Sequence, residues 1–132
     1  MKSVKVGRYV LGGCAVEVWF AEQDYFSAHN DWTKTGYGRI NLARETGEGW
    51  AGVVQGLTHE AFEFSLHSTG CAYQRTKFTR LFEHSSQNYR FMFTHEEFQT
   101  MAKEVGDFLC YALPDVATVW NKWNKRRGKV KT

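Results

Sequence analysis

Apolar and polar positions alternate with two different periods along this chain, and the changes of period mark its elements. Val4 to Leu11 reads as a strand running into Gly12-Gly13, a pair able to take positive φ in a two-residue turn. Beyond it Cys14, Val16, Val18 and Phe20 alternate with Ala15, Glu17 and Trp19, the pattern of a strand with one face on a core. The polar, aromatic stretch EQDYFSAHNDWTKTGYG predicts a loop, YGRINLA around Ile40 and Leu42 a short strand, and RETGEG a break. From Trp50 to His67 the period becomes helical. Trp50, Val53, Val54, Leu57, Ala61 and Phe64 fall on one stripe, and Phe62 and Leu66 on nearly the opposite one, so this helix is expected to be central and covered on both sides. Gly70 is placed to end it.

A second hairpin is expected from YQRTKFTRLF and NYRFMF on either side of the polar turn EHSSQ. Thr94 followed by Glu97 has the spacing of a capping box. The helix it opens shows a single apolar face of Phe98, Met101, Ala102, Val105, Phe108 and Leu109. Pro114, the one proline, is expected to open a third helix with Val116, Trp120 and Trp123 facing inward. With no internal repeat or linker, the pattern predicts one α+β domain over residues 1–124: two hairpins and a short strand packed with two or three helices, then a basic C-terminal tail over 125–132.

Composition narrows the function classes. At 42% apolar and 16% aromatic residues, 132 residues suffice for a real core. The five Trp, six Tyr and ten Phe either fill a core of large residues or reach a pocket or partner-facing surface, where Trp32 and Tyr37 are the candidates. A net charge of +3 does not by itself imply nucleic acid, but the end KWNKRRGKVKT carries no acid. Lys125, Arg126 and Arg127 are candidate contacts to an acidic protein face or, in a further reading, to a phosphate backbone; the plainer alternative is a solvated tail. Cys14, Cys71 and Cys110 have no zinc-ribbon spacing, and no leader or apolar run near 18 residues is present, so free thiols in the cytoplasm and no membrane contact are expected.

Candidate chemistry concentrates in LTHEAFEFSLH. On a helix His59 and Glu63 share one side, near Phe62 and Leu66, and are expected to point into a second buried layer. A divalent metal, zinc first, would satisfy both, with Glu60 as base. His95, opening the next helix, is the candidate third ligand, ahead of His84 and His67. The alternative is a metal-free pair, with His59 hydrogen-bonded in the core and Glu63 held by Arg75, Arg80 or Arg90. No phosphate-binding loop or GxSxG competes, and nothing local favours a Cys71–His84 thiol–imidazole pair.

From Tyr37 to Leu113, the order of strand, breaker, long helix with THEAFEF, hairpin and helix resembles the core of small zincin-type metallopeptidases. The resemblance implies His59 as first ligand, Glu60 as catalytic base, and Glu63 where that family carries its second His. HEAFEF, YRFMFTHEEF and ALPDV also resemble segments of small accessory proteins of tailed bacteriophages. That likeness implies a protein acting in the host cytosol by binding and modulating a host protein or protein complex, in host takeover or anti-defence. It is the leading functional expectation, with the metal-dependent hydrolase as the alternative.

Overall fold

The alternation in the first hairpin lays down the sheet that carries the rest. In the computed structural model, residues 3–21, 27–31, 37–43, 48–68, 72–74 and 89–130 are described, with 27–31, 37, 67–68, 72–74, 89–91 and 126–130 described by backbone alone. Strands β1 (Val4–Leu11) and β2 (Cys14–Ala21) pair antiparallel about Gly12 and Gly13, both at positive φ as the turn requires. The chain then crosses to the far edge as β3 (Ser27–Asp31) and returns as β4 (Tyr37–Ala43), antiparallel to β3 and parallel to β2. The order is β1-β2-β4-β3. β3 lies inside the stretch expected to be a loop. Its sequence SAHND has neither alternation nor β-branched residues, and it is an edge strand whose ladder is supplied by β4.

On one face of the sheet Val16, Val18 and Phe20 of β2 sit beside Ile40 and Leu42 of β4, all buried. Helix α1 (Gly49–Ser68) packs over β3 and β4, and α2 (His95–Val130) over β1 and α1. Val53, Leu57, Ala61 and Phe64 of α1 join Val105, Phe108, Ala112 and Val116 of α2 in one core. Each of the Val, Leu and Phe side chains among them contributes about 1.5–3 kcal/mol through burial. Strands β5 (Ala72–Gln74) and β6 (Tyr89–Phe91) pair antiparallel, as expected of the second hairpin, whose middle lies outside the described residues, as does Gly70.

A β-bulge between Lys5 and Gly7 resets the phase of β1, so Lys5 and Arg8 reach the same carboxylate on the sheet's other face. That carboxylate is Glu17, only 4% exposed. It accepts hydrogen bonds from Lys5 Nζ (2.6 Å), Trp19 Nε1 (3.1 Å) and Arg8 Nη2 (3.2 Å). Tyr9, on the helix-facing side, meets Phe108 edge-on and donates its hydroxyl proton to Asp115 Oδ2 of α2 at 2.7 Å. A Cβ on Gly7 would come within 2.5 Å of the Tyr9 oxygen, so a side chain there would displace Tyr9 from its place against Asp115.

Helix α2 starts as its sequence predicts. The Glu97 N–H donates to Thr94 Oγ1 (3.2 Å) and the Thr94 N–H to Glu97 Oε1 (2.9 Å), while Phe93 stacks on Phe98 to complete a hydrophobic staple. The expectation that Pro114 opens a separate helix is not met: α2 runs unbroken through it to Val130. Pro114 sits on the solvent side of the helix, as does Cys110, whose carbonyl it leaves without an intrahelical donor, while Phe108, Ala112 and Val116 hold both halves to the core. Residues 125–130, expected to be a tail, are the last turns of the same helix.

Candidate metal centre

Three lines of residues run along α1. Val53, Leu57, Ala61 and Phe64 form the core line. Gly52, Gly56 and Glu60, four residues apart, form a second buried line. Ala51, Gln55 and His59 form a narrow exposed one. The helix is thus covered over most of its circumference: Leu66 is buried and Phe62 packs on the core, as the sequence suggested, and the glycine line adds a covered side that it did not. Two glycines leave no bulk on that side, and hydropathy gives such a line no weight.

This placement corrects the expectation for the His59 and Glu63 pair. The side chains are 64% and 41% exposed, with His59 Nε2 at 3.3 Å from Glu63 Oε1. The buried member is Glu60, 6% exposed. No hydrogen bond engages its carboxylate among the described residues. Burial is the main reason its pKa is raised; Glu63 adds to the shift and His59 opposes it. One ligand atom each from His59, Glu60 and Glu63 lies within 4.8 Å of the others.

His59 and Glu63 are two donors of the types a divalent cation takes, and Glu60 is the third group within reach. Imidazole nitrogen and carboxylate oxygen are ordinary zinc ligands, and two donors of a tetrahedral zinc stand about 3.3 Å apart, close to the His59–Glu63 separation. A cation there would also relieve the repulsion between Glu60 and Glu63.

His95 does not join this cluster. It is the first residue of α2 and exposed. Ser65 Oγ donates to Glu104 Oε2, and Trp50 meets Trp120, so the two helices run antiparallel. On that register His95 lies roughly 20 Å along the pair from His59. His67 is in the last turn of α1, described by backbone alone, and His84 lies outside the described residues, as do Cys71, Trp32, Arg75 and Arg80. Tyr37 opens β4 opposite Asp31, and Arg90 is in β6, both by backbone alone. Lys125 is exposed on α2, with Arg126 and Arg127 next along its backbone. Cys14 and Cys110 are free thiols.

A cleft that the sequence did not signal lies between the first hairpin turn and α2. Val10, 67% exposed, and Tyr111, 73% exposed, stand in its lining with Asp107 and the Tyr9–Asp115 pair. Among the described residues no helix is long and apolar enough to cross a membrane. No family model matches the chain, and neither a curated protein nor a solved structure matches it.

Proposed function

We propose that the protein is a zincin-like, metal-dependent hydrolase in which His59 and Glu63 hold zinc on the exposed border of α1 and Glu60 is the base. The observation supporting this is the grouping of the Glu60 carboxylate, on a residue only 6% exposed, with one ligand atom each of His59 and Glu63 within 4.8 Å. When bound, zinc polarises a carbonyl or phosphoryl oxygen and acidifies water. Glu60, its proton affinity raised by burial, receives a proton at its carboxylate and returns it to the leaving group. Untagged protein should then carry zinc, lose it in His59→Ala, and keep it but lose peptide hydrolysis in Glu60→Gln. Metal-free protein that stays metal-free in excess zinc would remove this reading.

A second reading is a phage-type accessory protein that binds and modulates a host protein. It is supported by the cleft beside Val10 and Tyr111, whose large exposed side chains suit a partner-facing surface. On this reading a Val10→Ser, Tyr111→Ala variant loses capture of a host protein that His59→Ala retains. Capture surviving both changes would exclude the cleft.

A further inference from the structure

The last turns of α2 combine a strong positive charge with an apolar side that is already occupied. After Asp115 the chain contains no Asp or Glu, and Lys122, Lys125, Arg126, Arg127, Lys129 and Lys131 follow. Because 95–130 is one helix, residues 122, 125, 126 and 129 come round to one face at three- and four-residue spacing. Lys122 and Lys125 are exposed. The tryptophans of the same turns face elsewhere. Trp120 stacks on Phe20 (6.1 Å), meets Trp50 (6.5 Å) and contacts Trp123 (5.5 Å). This aromatic cluster fixes the helix end to β2 and α1.

We infer that this face of α2 is a docking surface for the phosphodiester backbone of a nucleic-acid duplex. The four cations span roughly 10 Å of helix, with rises of about 4.5 Å from 122 to 125 and from 126 to 129, and are not interrupted by an acid, which suits an equally continuous line of anions. A duplex presents one charge per about 1.7 Å of its axis. An anionic membrane is the weaker match: an interfacial helix needs a free apolar face beside its basic one, and here Trp120 and Trp123 pack against Phe20, Trp50 and each other. The surface is independent of the α1 metal site.

The test uses the full chain and labelled 20-base-pair duplex DNA and duplex RNA in fluorescence anisotropy between about 50 and 200 mM salt. With three to four cations engaged, log Kobs should fall against log salt with a slope near −3. Lys122→Gln with Lys125→Gln should weaken binding at least about tenfold and reduce the slope by about 2. Lys103→Glu, an exposed site in the first half of α2, removes the same net charge and should change affinity less than about threefold. Circular dichroism of each variant checks that the helix persists. Binding to one duplex type alone identifies the source of the backbone and supports the surface. The inference is overturned by no binding at 50 mM salt, by equal loss in Lys103→Glu, or by tighter binding to phosphatidylglycerol vesicles than to either duplex.

Discussion

Glu17 and Glu60 are both buried carboxyls in the same chain, and their surroundings drive them in opposite directions. Burial alone would raise the Glu17 pKa, but hydrogen bonds from Lys5, Trp19 and Arg8, with the Lys5 charge, outweigh it and hold the group at about 2. Its contribution to stability is full above the unfolded value near 4.5 and is lost as pH falls from there toward 2. Lys5 and Arg8 are half in solvent, which reduces the contribution to about 1–2 kcal/mol at pH 7. Glu17→Gln should therefore cost that much at pH 7 and progressively less in denaturant melts between pH 4.5 and 2. A cost independent of pH would show that Glu17 is not ionised as described. Glu60 has the reverse sign. Its raised pKa makes the folded state pay for ionisation at neutral pH, and that penalty disappears below the unfolded value near 4.5. Metal-free Glu60→Gln should accordingly be more stable than the parent at pH 7 and equal to it at pH 4. Lower stability at pH 7 would mean that the carboxylate is satisfied. In metal-free protein His59→Ala and Glu63→Ala, at side chains 64% and 41% exposed, should each fall within about 0.5 kcal/mol.

Among the elements, those with a period or a cap were legible and those defined by a neighbour were not. The Gly12-Gly13 turn, the alternation of β2 and the Thr94–Glu97 box are local, and each stands where the sequence puts it. β3 is held by β4, and its own residues carry no trace of that pairing. The stripe of Val53, Leu57, Ala61 and Phe64 was legible, but hydropathy gives Gly52 and Gly56 no weight, so His59 and Glu63 were expected inward beside Phe62 and Leu66, whereas Glu60 is the buried member. Pro114 was read as a boundary because proline removes a backbone donor and crowds the preceding turn. In α2 the buried residues on either side outweigh that cost. Pro114→Ala should then raise stability by at least about 1 kcal/mol in thermal melts, since it restores the missing bond to Cys110 without touching the core. A loss of stability would place Pro114 at a bend that the packing requires.

At the scale of the whole molecule, a mixed sheet and two antiparallel helices place three sites at separate locations. The His59, Glu60 and Glu63 cluster lies on the border of α1, the Val10–Tyr111 cleft lies between hairpin and α2, and the basic face occupies the end of α2. The composition of the first was legible in LTHEAFEFSLH, whereas the burial of its members depended on how the helix packs. The central claim is that His59, with Glu63 and Glu60 beside it, binds zinc. Zinc K-edge absorption spectroscopy on untagged protein loaded with one equivalent of zinc tests it most directly. The account predicts a first shell of nitrogen and oxygen donors at about 2.0–2.2 Å with a single imidazole, lost in His59→Ala. A sulfur shell at about 2.3 Å, which would assign the metal to the cysteines, or a spectrum unchanged in His59→Ala, would contradict it.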